Sequence, residues 1–346
     1  MERIERTVST PDGRTLAVQE AGDPAGRPVV VFLGTPNTRH LYGPHAADAA
    51  SRGLRLICYD RPGYGGSTPQ PGRTHADCAA DVRAICATLG LARIAVWGIS
   101  GGGAYALAAA ALLPDLVVAA ASLGGTAPCD ADGLDWFDGM GKDNADSCRL
   151  CRVDPAAARA RLDADREMLL AAAAPDLAAG LSSLFSPVDA TVFTGELADW
   201  MLSWREGVAP GSEGWWEDAR AVNGPWGFEL SSISVPVLVA HGRHDQFAPF
   251  AHGQWLAAHI PGAQAWLRDD DGHLTLYDYR VPEVHAWLSD RLSGAPAAGV
   301  LRIVLGTPLR RCRDRYELQL INWIGALDDS EMDALDDALR LYHGLL

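Results

Sequence analysis

The chain has 346 residues, 48% hydrophobic and 21% charged, which supplies a large core and excludes a disordered, collagen-like or coiled-coil chain. Forty-four acidic against 29 basic residues give a formal charge of −15, and Lys142 is the sole lysine. That balance argues against nucleic acid and anionic membrane surfaces as partners. The longest apolar stretch, Ala104–Leu113, is too short to span a bilayer. The polar N-terminus shows no signal peptide, and the seven scattered cysteines fit a reducing compartment, so a cytoplasmic location is expected. Cys148 and Cys151, the one C-x-x-C spacing, lack a second pair to complete a zinc site.

In chain order, Arg3–Val8 and Thr15–Glu20 flank Pro11-Asp12-Gly13 and predict a hairpin. Val29–Phe32 and Leu54–Tyr59 are short apolar runs bounded by Gly and Pro, as in strands buried on both faces. His75–Leu89 carries its apolar residues at helical spacing. Ile94–Trp97 predicts a strand that runs into Gly98-Ile99-Ser100-Gly101-Gly102 and then an alanine-rich helix to Leu113. Val117–Ser122 and Val235–Ala240 predict two further strands. The alternation implies an α/β fold, a mostly parallel sheet with helices on both faces.

Residues 126–232 break this pattern. They offer no buried-strand run, a helical stretch at Pro155–Ala174, and tryptophans at 200, 204, 215, 216 and 226. A helical insertion capping the sheet is expected there, within a domain spanning residues 1–293. Residues 294–346 read as a linker (Ser293 to Gly299) and an appendage. Asp328-Asp329-Ser330-Glu331 caps an amphipathic helix with Met332, Leu335, Leu339 and Tyr342 on one face. The insertion or this helix would offer a homodimer surface.

Gly98-Ile99-Ser100-Gly101-Gly102 matches G-x-S-x-G between a predicted strand and helix. A serine on so sharp a turn is strained, and its neighbours two residues away must be small. The helix start then supplies backbone N–H groups for a developing oxyanion. The hydroxyl needs a base, and the base an orienting carboxylate. Asp245 follows the Val235–Ala240 strand, and His273 follows Trp266–Leu267, in a loop before the last helix. Ser, Asp, His is the order this architecture requires, with each residue past a strand's C-terminal end. His244 points away from its neighbour Asp245, and His241 reads as packed. Asp269, Asp270 and Asp271 read as a solvated acidic loop. Leu33-Gly34-Thr35-Pro36 offers the Thr35 N–H as a second oxyanion donor beside that of Gly101.

These motifs, with Tyr59-Asp60-Arg61-Pro62-Gly63-Tyr64-Gly65-Gly66-Ser67, make residues 1–293 resemble the α/β-hydrolase superfamily, in its cap-bearing branch of esterases and proline iminopeptidases. The resemblance implies an eight-stranded sheet and a serine hydrolase of esters, thioesters or small amides. It implies a Ser100–His273–Asp245 triad, an oxyanion hole at Thr35 and Gly101, a small-molecule substrate, and no cofactor or metal. Leu33 stands where the branch usually has His, which puts the polar contacts of the oxyanion loop in question. The loop and Gly101 depart from the iminopeptidase pattern, although Glu196, Glu206, Glu213 and Glu217 offer carboxylates for a substrate amine. These glutamates read as solvated helix faces. Same-triad perhydrolase, acyltransferase or lyase chemistry is an alternative, and a catalytically silent binder another. Ile321–Leu346 is similar to the last helix of MazF/PemK-like ribonuclease toxins, whose β-barrel is missing, so no nuclease activity is implied.

Overall fold

The computed structural model describes residues 3–171, 173 and 180–293. The expectations for 294–346 lie outside the described residues. β1 (Ile4–Ser9) and β2 (Thr15–Gly22) form the expected hairpin, with Ile4 opposite Glu20 and Ser9 opposite Thr15. With β3 (Arg27–Phe32), β4 (Leu54–Tyr59), β5 (Ile94–Ile99), β6 (Val117–Leu123), β7 (Val237–Gly242) and β8 (Gln264–Arg268) they build one eight-stranded sheet, ordered β1-β2-β4-β3-β5-β6-β7-β8. β2 meets β4 antiparallel, and every pairing from β4 to β8 is parallel. All residues of β5 and β7 are buried, which is why, His241 apart, their sequences are apolar or small rather than alternating.

Helices α1 (Gly43–Ser51), α2 (Cys78–Leu89) and α3 (Gly101–Leu112) alternate with the first strands. Between β6 and β7 the described residues form α4 (Lys142–Val153), α5 (Pro155–Ala171), α6 (Pro187–Ala190), α7 (Gly195–Met201), α8 (Trp204–Val208) and α9 (Glu213–Val222), with no strand among them. α10 (Phe250–His259) and α11 (His273–Leu292) complete the described chain. Alternate strand residues divide the core in two. Val29, Val31, Leu56 and Trp97 pack with α1 and α11, while Val30, Phe32, Ile57 and Val96 pack with α2, α3 and α10.

The sequence of α3 shows no apolar stripe because Gly102 to Ala111 are all buried. Its glycines set how closely it lies on the sheet. A Cβ at Gly103 would fall 2.5 Å from Ser122 Oγ, and one at Gly102 only 2.0 Å from the Phe32 carbonyl oxygen. β3 lies between β4 and β5, so the order in which strands are added reverses there, the point at which parallel sheets open a crevice at their C-terminal ends. Thr35 and Ser100 follow those ends. Among the described residues no helix is long and apolar enough to cross a membrane.

Candidate active site

Ser100 joins β5 to α3 with φ 56° and ψ −129°, the one non-glycine with positive φ among the described residues. Such a conformation costs about 1–3 kcal/mol and persists only where its surroundings enforce it. Here the enforcement is steric. A Cβ at Gly98 would sit 2.1 Å from the Gly102 carbonyl oxygen, and neither glycine of the elbow has room for a side chain. A Cβ at Gly34 would lie 3.2 Å from Ser100 Cβ, so the loop after β3 presses on the serine. One at Gly101 would lie 2.7 Å from Thr35 Oγ1 and 3.6 Å from Thr35 N. The two expected oxyanion donors are therefore neighbours, and the first N–H groups of a helix have no partner within it.

Asp245 sits in the turn after β7. Its Oδ1 accepts the N–H groups of Phe247 (2.8 Å) and Ala248 (2.9 Å). That leaves Oδ2 to accept from Nδ1 of His273 at 2.6 Å, a charge-assisted bond between two buried groups. Burial by itself lowers the His273 pKa, but the Asp245 carboxylate outweighs it and holds the imidazole above its ordinary 6.5. A proton kept on Nδ1 for this bond leaves Nε2 as the basic nitrogen. Phe247 stacks on the imidazole at 4.4 Å and 18°. A Cβ at Gly124, where φ is +51°, would come within 3.0 Å of both Asp245 Oδ2 and His273 Nδ1. Ser100 and His273 line one cavity of about 50 Å³.

His273 is the first residue of α11 and not part of a preceding loop. The helix begins this early because an outside carboxylate receives its free N–H groups. Asp189 of α6 accepts from His273 N (3.0 Å), Leu274 N (2.7 Å) and Thr275 N (3.1 Å). The acidic loop is also less solvated than expected. Asp269 and Asp270 are exposed, but Asp271 is buried and pairs with Arg280 at 2.7 Å. His244 is exposed, and His241 is buried with Nε2 2.7 Å from the Ala248 carbonyl oxygen, as packing predicts.

Leu33 leaves no gap in the oxyanion loop. Arg61 donates to the Leu33 carbonyl at 2.5 Å and to the Gly34 carbonyl at 3.0 Å. Its charge is met by Asp218 of α9, a residue that no local pattern singles out. The buried Asp218 carboxylate accepts from Arg61 (2.5 Å), Arg73 (2.6 Å), Thr35 Oγ1 (2.6 Å), Tyr105 OH (2.8 Å) and Tyr64 OH (3.0 Å). Burial alone would raise its pKa, and the two guanidinium groups hold it far below the carboxylate range instead. The carbonyls of the oxyanion loop are thus held by an arginine whose charge is balanced from the insertion.

Of the four glutamates, Glu196, Glu206 and Glu213 are exposed. Glu217 corrects the solvated-face expectation, because it is buried and accepts the Gly72 N–H at 2.9 Å. None of the four lines the cavity at Ser100 or the larger one beside it. That second cavity, about 830 Å³, reaches from Thr35, Ser100 and Gly101 to Met140, Leu162 and Trp215 in the insertion. Trp200 and Trp204 line the smaller one, whereas Trp226 packs on His75.

A model of the alpha/beta hydrolase fold family matches residues 27–278. The chain is 29% identical to a non-heme chloroperoxidase of Streptomyces lividans, over 77% of this chain and 91% of that one. It is 28% identical to a proline iminopeptidase of Xanthomonas citri, over 76% and 88%. The esterase structure from Exiguobacterium antarcticum superposes with a TM-score of 0.59 at 21% identity, over 84% of this chain and 100% of that one.

Proposed function

The chain belongs to the alpha/beta hydrolase fold family, and from that premise we propose that it is a serine hydrolase of carboxylic esters, thioesters or small amides. The observation that carries this reading is the 2.6 Å His273–Asp245 pair opening onto the cavity that also holds the strained Ser100. Ser100 Oγ attacks the substrate carbonyl carbon and passes its proton to His273 Nε2. The imidazolium, stabilised by Asp245, returns that proton to the leaving group as the acyl–enzyme forms. The N–H groups of Thr35 and Gly101 receive the oxyanion, each worth about 2.7–4 kcal/mol in such sites. Water activated by His273 then releases the acid and restores Ser100.

The apolar walls and 830 Å³ of the larger cavity support a bulky, apolar acyl or alcohol group. A panel of p-nitrophenyl esters with acyl groups of increasing size tests this directly. Hydrolysis rising toward long or branched acyl groups is expected, and a sharp preference for acetate would contradict it. The similarity to a chloroperoxidase favours one added arm, hydrogen peroxide as acyl acceptor, with peracid replacing acid as the product. The similarity to an iminopeptidase favours a second, aminoacyl amides; among the described residues Asp143, Asp165 and Asp218 are the carboxylates on the larger cavity, and none lines the one that holds Ser100 and His273. Ester turnover well above amide turnover is the expected result.

A further inference from the structure

We propose that Asp189, carried by the insertion, is a positioning residue for the His273 base, holding the start of α11 through its backbone and setting a second buried negative charge beside the imidazole. This rests on the serine-hydrolase reading and extends it, since nothing in the triad motif calls for this carboxylate.

Asp189 is fully buried and lies 84 residues before His273, on a different segment of the chain. Its two oxygens take three consecutive N–H groups of α11, those of residues 273, 274 and 275, at 2.7–3.1 Å. The fourth donor at this end, Gly272 N–H, goes to Thr275 Oγ1 at 2.7 Å, so the helix start is fully satisfied. Ser186 Oγ donates to Asp189 Oδ2 at 2.8 Å and fixes the rotamer from its own helix. Room for the carboxylate is provided by Gly272, where a Cβ would fall 2.4 Å from Asp189 Oδ2. A short neutral cap supplied by residue 272 itself would satisfy the helix locally. A carboxylate from a distant segment instead makes the position of the catalytic imidazole depend on where the insertion lies.

The charge matters as well as the hydrogen bonds. Four donors and the positive end of the helix dipole hold Asp189 in the interior. Among the described residues, the ionisable groups facing His273 are Asp245 on the turn after β7, His241 at the end of β7, and Asp189 from α6. Asp271, two residues away, spends its charge on Arg280. Both carboxylates favour the imidazolium that forms during acylation, while buried, neutral His241 opposes it only when charged.

The test measures kcat and kcat/KM against pH on a p-nitrophenyl ester for the parent, Asp189→Asn and Ser186→Ala. A parallel NMR titration of the His273 imidazole in a Ser100→Ala background is independent of turnover. Asp189→Asn retains a carbonyl acceptor for the helix but no charge. Its plateau kcat is expected to fall roughly 10- to 100-fold. Its acid limb and the NMR titration of His273 are expected to move together to lower pH. Ser186→Ala loses one hydrogen bond and is expected to give a smaller movement in the same direction. A limb and a titration that stay in place, with kcat lowered or not, would reduce Asp189 to a structural cap and overturn the proposal. If Asp189→Asn fails to fold, an unmoved titration in folded Ser186→Ala counts equally against it. Fluorophosphonate labelling of Ser100 in the parent separates the two readings. Labelling with an unmoved limb sinks only the role of Asp189, and no labelling sinks the hydrolase reading on which it rests.

Discussion

The sheet and the insertion contribute to the site in opposite ways. Strand ends β3, β5 and β7 carry the loops with Thr35, Ser100 and Asp245, residues whose backbone conformation does the work. Ser100 is held at positive φ by the absence of side chains at 98 and 102, and Asp245 is aimed by two N–H groups of its own turn. The insertion contributes side chains that cross long distances. Asp218 spans to Arg61, Arg73 and Thr35, and Asp189 spans to the first turn of α11. Local geometry therefore shapes the candidate reacting groups, and buried charge from a remote segment fixes the frame around them. Substitutions of Ser100, His273 or Asp245 should act chiefly on turnover, whereas substitutions in the insertion should register in stability and in the pH profile.

The largest effect belongs to Ser100→Ala and His273→Ala, each expected to lower kcat by about 10⁶-fold. Asp245→Asn, which offers Nδ1 the wrong partner, should cost about 10⁴-fold. A residual rate within tenfold of the parent for any of the three would contradict a reacting role for that residue.

Asp218→Asn should show the insertion's side. It leaves Arg61 and Arg73 buried without a full counter-charge, and a loss of about 3–5 kcal/mol is expected by urea denaturation. Equal stability of mutant and parent would make α9 a passive cover.

A pH effect on stability follows next. Burial lowers the pKa of His45 and His75 to about 3, and that of His252 to about 4. Each remains neutral in the folded protein at pH values where the unfolded chain, at about 6.5, takes up a proton. Their contribution is complete above about pH 6.5 and is lost as pH falls toward the folded values. Each should remove about 1 kcal/mol per pH unit over that range. Denaturation midpoints at pH 7 and pH 5 measure it, and equal midpoints would contradict burial of these rings. His273 has the opposite sign. Its raised pKa gives stability that is full below about pH 6.5 and is lost as pH rises through the folded value.

Gly124→Ala should have the smallest effect. The left-handed backbone costs a side chain about 1–2 kcal/mol, and the methyl crowds Asp245 and His273. Kinetics alongside thermal melts should therefore show a modest loss of both stability and kcat.

What the sequence makes legible follows the same division. The hairpin, the buried strands and the elbow rest on patterns spanning a few residues, and each stands where its pattern puts it. Asp245 and His273 are legible as triad candidates because strand ends announce themselves through Gly and Pro. Asp189 and Asp218 carry no such sign. Ser186-Pro187-Val188-Asp189 reads as an ordinary helix start, and the reach of its carboxylate to residue 273 depends on how the insertion folds back. Asp218 stands among the charges of a surface-looking helix and is buried by Arg61 and Arg73, which lie about 150 residues earlier in the chain. Asp271 and Glu217 look solvated in the sequence for the same reason, since a pairing with Arg280 or Gly72 N–H leaves no periodic trace. Leu33 was legible as a departure, but its remedy in Arg61 was not.

The most direct test of the central claim is reaction with a fluorophosphonate, read by intact mass and peptide mapping, with Ser100→Ala beside the parent. A single adduct on the Ser100 peptide, lost in the variant and forming faster as pH rises through the His273 titration, is the predicted result. A folded protein that takes no label, or labels equally after Ser100→Ala, would contradict an activated serine at the elbow.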